Sequence, residues 1–263
     1  MKVDFKRLGG KNNSWLKVFL YFPLFFISCS LLAGYYETLD QGKLPDGYPD
    51  DILRGHTSFN ENTTGYNTDT SMMFYILAYL SLEQQQQTFI KYGMYFVPSK
   101  QWMDVAVEKI KQHGGTKGID PMAGNGWLPY FFTQEYKLPV IAIDNGQIDF
   151  SRNTGPDTNK IAIQKKDAIT GISENPEANF LLLSWPTNPD QTDGRDVAFE
   201  ILQAWGEKGC ILFIGEWDPP LTGSLDFFNY LKTHYTIETI PNYLSRRHIN
   251  DNVYFCTPEF GNP

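Results

Sequence analysis

The residues with the clearest capacity for chemistry lie at the ends of three successive apolar stretches. The first ends in Asp120-Pro121-Met122-Ala123-Gly124-Asn125-Gly126. Gly124 and Gly126 allow the backbone to turn tightly and to approach a ligand closely. A helix starting near Trp127 would aim its first amide groups at that ligand. Asp144 closes the second stretch, where a carboxylate can accept hydrogen bonds from both ribose hydroxyls. Asp167, followed by Ala168, closes the third and can accept from an adenine amino group. The glycine pair also has a plainer reading as a tight strand-to-helix turn, and Asp144 as a helix-capping or turn residue before Asn145-Gly146. Three in register at consecutive strand ends point to an adenosine-type ligand.

The elements that would carry these residues alternate. Strands are expected over Lys117–Met122, Pro139–Asn145, Lys160–Ala168, Ala178–Pro186 and Gly209–Trp217, with helices over Trp127–Tyr136, Asp193–Trp205 and Ser224–Thr233. The runs FLLL and CILFIGEW are apolar without alternation, as in strands covered on both faces, hence parallel. Two last strands, Tyr235–Ile240 and Asn252–Thr257, have no helix between them and should pair as an antiparallel hairpin. Ahead of this body, a helix opens at Pro98-Ser99 with Ser99 as N-cap and ends at Gly114-Gly115. An apolar helix covers 71–92, with Asp69 to Ser71 as its capping region. The expected organisation is a leader at 1–34, a polar linker at 35–70, a helical lead-in at 71–114 and an α/β domain at 115–263.

On these residues the sequence resembles the class I S-adenosylmethionine-dependent methyltransferases over 98–257. Asp120, Ala123, Gly124 and Gly126 look like that family's first motif, where the loop cradles the methionine part of the cofactor. Asp144 matches its ribose-binding acid, and Asp167-Ala168 the pair beside the adenine. The terminal hairpin matches its reversed seventh strand. The resemblance implies a doubly wound seven-stranded sheet of order 3-2-1-4-5-7-6 with the last strand antiparallel, and S-adenosyl-L-methionine as cofactor. Nicotinamide-binding folds usually carry a third glycine, where this chain has Pro129.

The form Asp-Pro-x-x-Gly-x-Gly is closest to methyltransferases of amino groups, which carry Asp/Asn-Pro-Pro-aromatic after strand four. Here the sequence is Ser184-Trp185-Pro186-Thr187. Ser184 can accept one hydrogen bond, and Trp185 can stack on a flat substrate or fill space. Glu216, ending strand five beside Trp217 and Asp218, could orient or deprotonate an acceptor or be a solvated acid. With Ser184 and Trp185 it completes the candidate catalytic set. Tyr35, Tyr36, Tyr92 and Tyr95 are candidates for a lid, and Arg246-Arg247-His248 for contact with an anionic substrate. Methyl transfer from an activated sulfonium needs positioning more than acid–base power, so the absence of a triad is no obstacle. No Gly-x-Ser-x-Gly elbow or P-loop is present.

The chain of 263 residues has a net charge of -8, which disfavours a nucleic-acid partner. The acceptor is expected to be a small molecule or a protein. Its first 34 residues are locally basic, with Lys2, Lys6, Arg7, Lys11 and Lys17 against Asp4. Val18 to Gly34 then form an uncharged run of 17 residues, the lower limit for a membrane span. The expected state is a single-pass anchor with a cytoplasmic N-terminus. The alternatives are an exported protein cleaved near Ser28 or Ser30, and a cytoplasmic one with the run buried. Topology and cofactor pull apart, because the cofactor is made in the cytoplasm. The alternative function is therefore a methyltransferase-fold protein that binds a partner without catalysis. Cys29, Cys210 and Cys256 form no metal-binding spacing with the four histidines, so no metal is expected.

Overall fold

The computed structural model describes residues 34–48, 88, 91–157, 161–191, 194–217, 221–245 and 249–259. The leader up to residue 33, the capping region Asp69 to Ser71, most of the helix expected over 71–92 and Arg246-Arg247-His248 lie outside these. Among the described residues no helix is long and apolar enough to cross a membrane.

Seven strands form one sheet: β1 (Gly118–Asp120), β2 (Val140–Asp144), β3 (Ile163–Lys165), β4 (Phe180–Ser184), β5 (Cys210–Glu216), β6 (Tyr235–Thr239) and β7 (Asp251–Pro258). Their order is β3-β2-β1-β4-β5-β7-β6, as the resemblance implied. β1 to β5 pair in parallel, and β7 runs antiparallel between β5 and β6. The bounds of β1 to β6 are tighter than the sequence suggested, most of all for β3, where Ile163 and Lys165 are exposed, whereas β7 extends one residue further at each end.

Side chains on a strand alternate between faces, and both faces of this sheet are covered. Phe180 and Leu182 pack on one side with Trp102 and Ile110 of α1 (Lys100–Gln112) and Phe131 and Phe132 of α2 (Trp127–Gln134). Leu181 and Leu183 pack on the other with Ile172 of α3 (Ala168–Glu174), Leu202 of α4 (Val197–Trp205) and Phe227 of α5 (Leu225–His234). This double coverage is why β4 and β5 read as unbroken apolar runs. Ser99 caps α1, its hydroxyl accepting from the Gln101 N–H at 3.1 Å.

Two parts of the chain differ from expectation. α3 was not foreseen. Residues 34–40, expected as the end of the leader and the start of a polar linker with at most short helices, form a helix that packs into the body. Tyr35, Leu39, Leu44 and Tyr48 from this stretch are buried in the core, and the Tyr35 hydroxyl donates to the Pro98 carbonyl at 2.8 Å. Cys210 and Cys256 are buried free thiols, and burial pushes Cys210 up to about 12.

Candidate active site

Asp120 ends β1 at the floor of a cleft and is 1% exposed. Burial pushes its carboxyl up to about 8; the Met122 N–H, donating to Oδ1 at 3.2 Å, opposes this and the neighbouring Asp144 adds to it. Asp120 therefore holds a proton at neutral pH. The loop that follows turns through Gly124 (φ 58°) and Gly126 (φ 88°), conformations that side chains disfavour. A Cβ on Gly124 would sit 3.2 Å from the Phe150 ring. Gly126 is the N-cap of α2.

Asp144 does more than wait for a ligand. Its Oδ2 accepts from the Gly124 N–H at 2.9 Å and its Oδ1 from the Gly146 N–H at 2.7 Å. It thus ties the loop after β2 to the loop after β1. Each oxygen retains a second acceptor direction, so the carboxylate can still meet ribose hydroxyls.

Asp167 also has local partners. It caps α3, accepting from the Ile169 N–H at 3.0 Å, and pairs with Arg195 Nη1 at 3.1 Å. Burial raises its pKa, but the Arg195 hydrogen bond and the Thr170 and Ile169 amides outweigh this and hold it below the usual carboxylate value. Arg195 lines the cleft and is held in turn by Glu200, its Nε donating to Oε2 at 2.9 Å. Sequence reasoning missed Arg195. Its position just before Asp196, the N-cap of α4, was the only signal available.

After β4 the chain makes an unusual turn. Trp185 adopts φ 51°, uncommon for a residue with a side chain, and its N–H donates to the Ile214 carbonyl at 2.7 Å. The Gly223 N–H donates to the Pro186 carbonyl at 3.0 Å, holding residues 221–223 against this turn. Ser184 Oγ and Thr187 Oγ1 are buried without a hydrogen-bond partner. The Tyr95 ring lies 6.3 Å from that of Trp185 and 6.5 Å from that of Phe150.

The cleft has a volume of about 790 Å³ and collects Asp120, Ala123, Gly124, Asp144, Asp167, Ala168, Ser184 and Trp185, a size suited to a small molecule. Two predicted residues stand apart. Gly126 turns behind the loop against Ile163. Glu216 does not line the cleft; it is 5% exposed and accepts from the Asn250 N–H at 2.6 Å. Of the four candidate lid tyrosines only Tyr95 lines the cleft; Tyr36 and Tyr92 stack on one another outside it, at 6.4 Å. The segment around Tyr92 is fastened over the glycine loop. The Asn125 side chain donates to the Tyr92 carbonyl, Trp127 Nε1 to the Thr154 carbonyl at 3.0 Å, and the Thr154 N–H to the Lys91 carbonyl at 2.7 Å. Among the described residues no group of three or more His, Cys, Asp or Glu side chains could hold a metal ion.

No protein-family model matches the sequence, and no curated protein matches it. Solved structures similar to it include an S-adenosylmethionine-dependent methyltransferase from Clostridium acetobutylicum ATCC 824, at 13% identity and TM-score 0.43 over 68% of this chain and 98% of that one. A variant of MtNAS in complex with S-adenosylmethionine shows 13% identity and TM-score 0.40 over 95% and 99%. The N-methyltransferase NodS from Bradyrhizobium japonicum WM9 shows 11% identity and TM-score 0.36 over 61% and 96%. These are distant likenesses of overall chain arrangement.

Proposed function

We propose that this chain is an S-adenosylmethionine-dependent methyltransferase. One observation carries the reading: Asp120, Gly124, Asp144 and Asp167 converge on a single cleft, at the carboxyl ends of β1 to β3, in a sheet of order 3-2-1-4-5-7-6. Asp144 would hold the ribose, the Asp167-Ala168 pair the adenine edge, and the loop from Asp120 to Gly124 the amino-acid end. S-adenosylmethionine would supply an already activated methyl group. The chain's task would then be to hold the acceptor in line with it, beside Ser184, Trp185 and the rings of Tyr95 and Phe150. Residues 18–34 would tether the domain to a membrane, a reading supported by their 17 uncharged residues.

A second reading, a protein that binds the cofactor without transferring its methyl, draws on Ser184 standing where amino methyltransferases place Asp or Asn. Calorimetric titration of the full chain with S-adenosylhomocysteine tests the first step common to both. Binding in the micromolar range, on the order of -8 kcal/mol, is expected, with loss of that heat in Asp144→Ala. A folded wild-type protein that takes up no ligand would remove the cofactor from both readings. A ligand-binding protein that methylates nothing in an acceptor screen would favour the second.

A further inference from the structure

The chain contains two Asn-Gly pairs, Asn125-Gly126 and Asn145-Gly146. Both asparagines line the cleft, and the fold treats the pairs oppositely. In an Asn-Gly pair the glycine nitrogen can attack the side-chain amide before it, because glycine carries no side chain to crowd the approach. At the first pair both reacting groups are held apart from that chemistry. The Asn125 side chain donates to the Tyr92 carbonyl. The Gly126 N–H donates to the Ala123 carbonyl at 2.9 Å, and Gly126 is buried at the head of α2. At the second pair both residues are exposed. The Asn145 Oδ1 accepts from the Gln147 N–H at 2.9 Å. That bond draws electron density from the amide carbon and steadies negative charge on the oxygen during attack. The Gly146 N–H donates to Asp144 Oδ1 at 2.7 Å. A carboxylate therefore stands at the proton that the attacking nitrogen must lose.

The geometry points to Asn145-Gly146 as a site of spontaneous modification, where the loop after β2 converts Asn145 to aspartate or isoaspartate. The Gly146 nitrogen forms a bond to the side-chain carbonyl carbon of Asn145. Its proton passes by way of the Asp144 carboxylate to the departing amide nitrogen, which leaves as ammonia. Water then opens the cyclic imide at either carbonyl. Opening at the main-chain carbonyl leaves the chain routed through the former side chain, one carbon longer, as isoaspartate. Either product sets a second negative charge beside Asp144, and isoaspartate also moves the Gly146 N–H away from it. The consequence for the cofactor rests on the methyltransferase reading: Asp144 loses its setting against the ribose, and affinity falls as the protein ages.

The test incubates the full chain in warm neutral buffer and follows both Asn-Gly pairs by peptide mapping with mass spectrometry, isoaspartate being separated chromatographically. In the folded protein Asn145 should be lost at least several-fold faster than Asn125. In urea that unfolds the chain the two rates should converge, because it is the fold that distinguishes the pairs. Asn145→Gln, which would have to close a larger ring, should give no product at that position. By calorimetry, aged wild type should bind S-adenosylhomocysteine several-fold more weakly than fresh protein, whereas Asn145→Gln keeps its starting affinity through the same incubation. An Asn145 that lasts as long as Asn125 in the folded protein, or a rate difference that persists unchanged in urea, would overturn the assignment. Rapid loss of Asn145 with unchanged affinity would refute the consequence drawn for the cofactor. If Asn145 is lost rapidly and fresh protein takes up no S-adenosylhomocysteine, the modification site stands and the cofactor reading falls.

Discussion

Replacing Asp120 by Asn should stabilise this protein, and more so as the pH rises. The carboxyl is 1% exposed, and burial moves it from an ordinary 3.8 to about 8. Between those values the folded state keeps a proton that the unfolded chain has released. Stability therefore falls with rising pH across that window and levels off above pH 8. The slope is roughly 1.4 kcal/mol per pH unit, amounting to roughly 6 kcal/mol over the whole window. That is comparable with the entire net stability of many domains. Asn cannot ionise, and its carbonyl can accept the same Met122 N–H. Titrating groups that do not interact with Asp120 cancel in the difference, and Asp144, which adds to its shift, contributes less than burial does. Urea denaturation at pH 5, 6, 7 and 8 should show Asp120→Asn gaining on wild type by roughly 4 kcal/mol across the series. Parallel pH profiles, differing by a constant, would refute the account of a proton trapped at the cleft floor.

Two further perturbations separate backbone packing from electrostatics. A Cβ on Gly209 would lie 2.1 Å from the Asn179 carbonyl oxygen, so Gly209→Ala must part β4 from β5 and should cost about 3 kcal/mol. Gly155→Ala, with nothing within 4 Å, is its neutral control in the same urea assay. Arg195→Gln removes ion pairs that are about half exposed, so stability should change by about 1 kcal/mol or less. S-adenosylhomocysteine should nonetheless bind several-fold more weakly by calorimetry, because Asp167 loses the partner that orients it; an unchanged affinity would exclude that role.

Much of the sheet was legible because burial on both faces writes itself into β4 and β5 as uninterrupted apolar sequence. A hairpin with no intervening helix announced the reversed β7. The glycine turn after β1 and Asp144 were legible because strand-to-helix loops need particular residues at particular places. α3 was not, since AITGISE contains a glycine and several weak helix formers, and the Asp167 that caps it was read only as a ligand. β3 was read too long because Ile161 and Ala162 precede it as an apolar lead-in, while its own residues are largely exposed. Residues 34–48 looked polar, yet four apolar or aromatic side chains bury there. Glu216 misled because ending a strand does not by itself place a side chain in the cleft: its carboxylate accepts from the Asn250 N–H just before β7 instead. Arg195 was invisible because its ion pair with Asp167 joins residues 28 apart, which no local pattern encodes.

The place of β7 has a consequence for the birth of the protein. Chains emerge from the ribosome N-terminus first and begin to fold as they do. β1 to β5 can assemble in order, but β5 meets its outer neighbour only after 251–258 have been made. Until then Cys210–Glu216, buried along its whole length in the finished sheet, is an open apolar edge. Such edges pair readily with other chains. The interval between synthesis of β5 and of β7 is thus when this protein most needs protection from its own copies. Anything that stalls translation there would show itself as aggregation, although the completed fold leaves no trace of the hazard.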